Sequence, residues 1–286
     1  MTDDQIKALV ESVISKMDLP KQEAAPQDRA DEGSIPDIRE ENYRATLDVE
    51  NPANAEEFLR IKANTDARMG LGRAGCRYKT RMYLRMLADH AGAMDAVQNE
   101  PDESIIDENG FFRVQTMCEN KDVYMTRPDL GRLFSDEMKD KMAKNCIMKP
   151  DVQIIASEGL SSIAFDRNIT DVMQSMAQGL AVEGIKAGTP IYVRYSRVPA
   201  MDVITEIVKP KVTVIFIGER PGLSTYASLS AYMTYNGYVG MPESGRNVVS
   251  NIHANGTNPV EAGAHIASVV RMMIDQKASG TDLQLF

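Results

Sequence analysis

Residues 212–224 read V-T-V-I-F-I-G-E-R-P-G-L-S. The run from Val212 to Ile217 is unbroken, rich in β-branched residues and too short for an ordinary helix, so it reads as a strand buried on both faces. Gly218 ends the run, and Pro221-Gly222 turns the chain toward a stretch over 224–234 that reads as a helix.

Working outward, V-Q-I-I-A-S (152–157), P-I-Y-V-R-Y-S (190–196) and F-F-R-V-Q-T-M (111–117) have the same strand-like character. Helical patterns intervene over 127–144, 165–186, 199–208 and 224–234, with a last one over 258–277. Val/Ile-rich strands alternating with helices predict an α/β fold over 106–286, a Rossmann-like parallel sheet covered by helices on both faces. Right-handed crossovers then gather every strand-to-helix turn on one edge, where such sheets bind ligands.

Four segments are expected at that edge: S-E-G-L-S-S (157–162), S-R-V-P-A-M-D (196–202), G-E-R-P-G-L-S (218–224) and R-N-V-V-S-N-I-H (246–253). They offer amide donors, the carboxylates Glu158, Asp202 and Glu219, and the cations Arg197, Arg220 and Arg246. Helix N-termini there suit a phosphate. Neither G-K-[ST] nor G-x-S-x-G occurs, which argues against a P-loop and a serine-hydrolase elbow. The inventory suits holding a large polar ligand more than acid–base chemistry, and no catalytic residue is assigned. Equally open from the residues alone is an ordinary surface turn in which Glu219 and Arg220 pair.

Before residue 106 the chain changes character. Residues 44–105 read as a small all-helical domain, with helices in P-A-N-A-E-E-F-L-R-I-K-A-N (52–64) and over 78–97, where Leu84, Leu87, Ala91 and Met94 share a face. Between them Gly70-Leu71-Gly72-Arg73-Ala74-Gly75 satisfies G-x-G-x-x-G, but the polar stretch before it is not a strand. The dinucleotide fingerprint needs that strand, so these glycines are read as a loop passing close to another backbone.

Residues 19–43 are rich in Pro, Asp, Glu and Gln and read as a flexible linker. Residues 1–18 read as a tethered amphipathic helix, with Ile6, Leu9, Val10, Val13, Ile14 and Met17 on one face. Its acidic start does not suit a secretory signal, and its polar face is not basic enough for a membrane surface.

The 286 residues carry a formal net charge of −9, which argues against nucleic-acid binding. No apolar stretch approaches the ~20 residues that span a bilayer, so no membrane partner is expected. Cys76, Cys118 and Cys146 are far apart and suit reduced thiols, and with His90, His253 and His265 as the only histidines no metal centre is expected.

Several of these stretches together resemble one family. M-G-L-G-R-A-G (69–75), L-A-D-H-A-G-A-M-D-A-V (87–97), S-E-G-L-S-S, V-I-F-I-G-E-R-P-G-L-S, S-N-I-H and N-G-T-N-P-V-E-A-G-A-H are similar to the small subunit of ethanolamine ammonia-lyase, in the right order from about residue 42 onward. The resemblance implies an adenosylcobalamin-dependent enzyme that converts ethanolamine to acetaldehyde and ammonia. It implies a large subunit, a TIM barrel, that carries the substrate site, and a small subunit that closes over the cofactor. Three cofactor-contacting positions carry over: Val198, Glu219 and Val248, the last where relatives often have cysteine. Asp89-His90-Ala91-Gly92 departs from D-x-H-x-x-G, so the cofactor is expected to keep its benzimidazole on cobalt.

The same resemblance makes residues 1–17 an address for a bacterial microcompartment, read by shell or cargo proteins. The rivals are a self-sufficient dinucleotide-binding enzyme and an assembly subunit without cofactor contact.

Overall fold

The computed structural model describes residues 37–284, and those from Asn42 onward form one compact unit. The targeting helix expected over 1–18 and most of the linker lie outside the described residues.

The first segment holds helix α1 (Ala55–Ala63), a two-residue hairpin of β1 (Arg73–Ala74) and β2 (Arg77–Tyr78), and helix α2 (Thr80–Gln98). Asn54 caps α1 by accepting the Glu57 amide. The hairpin corrects the all-helical expectation. Among the described residues no strand precedes Gly70, and no helix starts within the three glycines. A Cβ at Gly72, where φ is +65°, would run into the Asp48 carbonyl, so glycine is required for close backbone passage.

Helix α2 is turned about its axis relative to the expectation. Leu84, Leu87 and Met94 are exposed, whereas Met82, Asp89, Gly92 and Ala96 are buried. Small residues let α2 lie close to the helix that follows the next strands, and the Ser162 hydroxyl donates to the Ala96 carbonyl at 3.5 Å.

Beyond α2 come α3 (Glu103–Glu108), β3 (Phe112–Gln115), α4 (Lys121–Thr126), α5 (Asp136–Asn145), β4 (Val152–Ser157), α6 (Ser162–Val182), β5 (Ile191–Arg194), α7 (Ala200–Val208) and β6 (Val212–Gly218). The chain finishes with β7 (Leu229–Tyr235), β8 (Asn247–Ile252) and α8 (Pro259–Gln276). The segment read as one helix over 127–144 is a 3-10 turn at Leu130–Arg132 followed by α5. Ser135 breaks it by capping α5, accepting the Met138 amide.

Six strands form one sheet in the order β3-β5-β4-β6-β7-β8. β3, β5, β4 and β6 are parallel, whereas β7 is antiparallel to both β6 and β8. The sheet is therefore mixed, which corrects the all-parallel expectation. The physical reason lies in residues 228–235, S-L-S-A-Y-M-T-Y, which alternate with period two. They form a strand paired to β6 through a returning loop, and no crossover helix covers 224–234.

Alternation sorts the side chains into two cores. Ile154, Ala156, Val214, Phe216, Ala231 and Met233 pack on α6 and α8. Ile155, Ile191, Val193, Ile215 and Ile217 pack with Met142 of α5 and with Ala200, Met201, Ile204 and Val208 of α7. The result is an α/β fold with helices on both faces of a mixed sheet.

Candidate functional site

The parallel strands end together at the edge where β7 begins and β8 finishes, since Gly218 pairs with Leu229 and Leu229 with Ile252. Two turns there are locked backbone to backbone. A Cβ at Gly218 would collide with the carbonyls of Glu158 and Ser161, and one at Gly159 with the Gly218 carbonyl. Leu160 N–H donates to Gly218 O at 2.9 Å, and the Ser161 hydroxyl to Tyr226 O at 2.6 Å. Glycine at the end of the 212–217 run thus lets S-E-G-L-S-S and G-E-R-P-G-L share one support.

That support carries Glu219 outward. Its N–H donates to Ser228 O at 2.9 Å, and its Oε1 accepts from the Tyr232 hydroxyl at 2.8 Å. Among the described residues nothing donates to Oε2. Burial and the neighbouring carboxylate push the Tyr232 phenol well above its ordinary value, so it remains a donor at any physiological pH.

Tyr232 lies directly across the β7–β8 ladder from Val248, so the two side chains share a sheet face. Val248 is 48% exposed. It sits within β8, which corrects the expectation that 246–253 is a turn. Val198 precedes α7 and packs, like Tyr232, against the core beneath that helix. Its carbonyl accepts the Met201 amide as α7 starts. Glu219 and Val248 are thus linked through Tyr232, and Val198 packs on the same core as Tyr232. Tyr232 itself was hidden by the helical reading of 224–234, although the period-two pattern was its signal.

The other charged residues expected at this edge are taken up structurally. Glu158 is fully buried; its Oε1 accepts the Tyr195 amide at 2.7 Å and its Oε2 the Tyr192 hydroxyl at 2.7 Å. Burial raises its pKa, against the lowering effect of those hydrogen bonds. Asp202 forms a buried bidentate pair with Arg246. The Arg197 guanidinium lies 4.2 Å from the Tyr124 ring centroid and donates to Tyr124 O.

Arg220 stays exposed, on a cleft of about 350 Å³ that it shares with His90, Met94, Val97 and Leu223. This cleft joins the loop to α2, a tie that no local sequence pattern signals. Arg68 donates both to Asp89 Oδ2 at 2.6 Å and to the Leu223 carbonyl at 2.7 Å, while Arg85 holds the same Asp89 at 3.0 Å.

The architecture and this edge define an α/β protein whose sheet edge presents an acceptor and apolar surface, with Glu158 and Asp202 bound internally. Comparison with known proteins narrows the class. The ethanolamine ammonia-lyase light chain (EutC) family matches residues 55–284. The ethanolamine ammonia-lyase small subunit of Clostridium tetani (strain Massachusetts / E88) is 48% identical over 296 residues, covering 99% of each chain. That of Clostridium perfringens is 46% identical, covering 99% of this chain and 100% of the relative, and that of Listeria innocua serovar 6a is 44% identical with the same coverage. The chain belongs to the ethanolamine ammonia-lyase small-subunit family.

Proposed function

We propose that this chain is the small subunit of an adenosylcobalamin-dependent ethanolamine ammonia-lyase, docking on a TIM-barrel large subunit and contributing one wall of the cofactor site. The observation that carries the reading is Oε2 of Glu219, to which no described residue donates, while Oε1 is held by Tyr232 across the ladder from the exposed Val248.

Cobalamin has a rim of amide N–H donors, a ribose–phosphate tail and a flat apolar benzimidazole, so a complementary wall needs acceptors and apolar contact. The residues present fit. Glu219 supplies a carboxylate acceptor, and Val198 and Val248 supply apolar surface. When bound, the cofactor supplies the radical chemistry through its cobalt–carbon bond. This chain's residues bind and orient the cofactor and keep water from the closed face. A valine at 248 makes only packing contact, so the reading assigns no thiol role there.

Co-purification with an ethanolamine ammonia-lyase large subunit tests the assignment. The two chains together should form acetaldehyde from ethanolamine when adenosylcobalamin is added, and this chain alone should not. A chain that binds NAD or FAD by itself would favour the dinucleotide reading instead.

The amphipathic pattern of residues 1–17 supports a second part of the proposal, an address for a bacterial microcompartment. Deleting residues 1–20 should leave lyase activity intact and make the complex diffuse in cells. Unchanged encapsulation would reject the address.

A further inference from the structure

One side chain near this edge that carries no assigned role is Tyr232. It sits in β7, opposite Ile215 on one side and Val248 on the other, so its ring is on the face that α7 covers only in part. Its hydroxyl reaches past the end of β6 to a residue in a loop, Glu219, at 2.8 Å. An exposed loop carboxylate ordinarily samples several rotamers, and losing that freedom on binding costs affinity. Here the main chain of Glu219 is fixed by the bond to Ser228, the loop beyond it is closed by Gly222 N–H donating to Thr225 O at 2.9 Å, and Oε1 is fixed by Tyr232. One oxygen is left in a set direction.

We propose that Tyr232 is a positioning residue: its hydroxyl holds Oε1 of Glu219 so that Oε2 is aimed, before binding, at an amide or hydroxyl donor of the incoming corrinoid. This rests on the reading of Glu219 as a cofactor contact. The phenol is suited to the task because it donates without carrying charge. A lysine or arginine would neutralise the carboxylate and compete for the second oxygen. The ring also fixes the distance, since it is anchored in the sheet at one end and has a single rotatable donor at the other.

The test uses the assembled two-subunit complex with Tyr232→Phe, Glu219→Ala and the double variant. Adenosylcobalamin affinity is measured by equilibrium dialysis, alongside coenzyme KM and kcat. Tyr232→Phe should weaken binding about three- to ten-fold, the effect of one hydrogen bond. KM for the coenzyme should rise by the same factor while kcat at saturation is unchanged. In the Glu219→Ala background, removing the hydroxyl should have no further effect.

If Glu219→Ala weakens binding and Tyr232→Phe does not, the positioning role is overturned and the Glu219 contact stands. Equal losses from Tyr232→Phe in both backgrounds would show that the hydroxyl acts independently of Glu219, which also overturns it. If both single variants bind normally, the role falls together with the reading of Glu219 on which it rests.

Discussion

Arg246 Nη1 and Nη2 each donate to one carboxylate oxygen of Asp202, at 2.8 and 2.9 Å, with both side chains at least 98% buried. Asp202 is in the first turn of α7, four residues after Val198, and Arg246 lies two residues before Val248. The pair therefore ties the helix that starts beside Val198 to the edge strand that carries Val248. Glu243 adds a third ion-pair contact from the surface, 3.0 Å from Arg246 Nε.

Asp202→Ala should destabilise the chain by about 3–5 kcal/mol, because it leaves a buried guanidinium without its buried counter-ion and with only the surface Glu243 as partner. Replacing both partners, as Asp202→Ala with Arg246→Met, should recover most of that loss, since the uncompensated charge is gone. Urea unfolding midpoints of the two variants check the prediction. Equal losses would show that the pair's charge is not what holds β8 to α7.

Gly218→Ala should cost about 1–3 kcal/mol, the usual range for forcing extra atoms into a tight backbone contact. The new methyl would meet the carbonyls of Glu158 and Ser161, which cannot move without breaking the turn they belong to. Hydrogen exchange should rise at Leu160, whose amide is bonded to Gly218 O. Unchanged protection there would separate the two turns.

Gly218 also shows how much of the site is legible in the sequence. An apolar run of six residues with a glycine stop is sufficient to place a strand and the turn after it, because burial on both faces leaves a continuous signal. Residues 228–235 were harder: their signal is a period-two alternation diluted by serine and alanine, and the preceding Pro-Gly suggested a helix start. Misreading that one element hid the antiparallel part of the sheet, moved Val248 from a strand to a turn, and concealed Tyr232. Helix α2 failed for a different reason. Leu84, Leu87 and Met94 face outward while Gly92 and Ala96 face inward, so a rule that equates apolar with buried selects the wrong side. Ion pairs such as Arg68–Asp89 and Arg246–Asp202 join residues 21 and 44 positions apart, which no local pattern encodes.

Stability should fall as the pH drops below the ordinary histidine value of 6.5, in part through His253. Burial lowers the pKa of this ring, so the folded state favours the neutral form. Nδ1 accepts the Asn255 amide at 3.2 Å, which assigns the proton to Nε2, 2.8 Å from Asn251 Oδ1. A second proton on Nδ1 would break the Asn255 bond. For a base with a depressed folded pKa, the contribution is complete above 6.5 and is lost as the pH falls from there through the folded value. Urea unfolding of the wild type and of His253→Gln at several pH values isolates the effect: the difference between them should change with pH only in that window. A difference independent of pH would mean that His253 does not titrate on unfolding.

In the proposed wall of Val198, Glu219 and Val248, Glu219 is the one charged member. The most direct measurement is the adenosylcobalamin Kd of the assembled two-subunit complex with Glu219→Ala. Loss of a charge-assisted hydrogen bond, about 1.5–3 kcal/mol, predicts a Kd raised roughly ten- to a hundred-fold with the complex intact by gel filtration. An unchanged Kd in an intact complex would contradict the account and leave this chain as a cap that does not touch the cofactor.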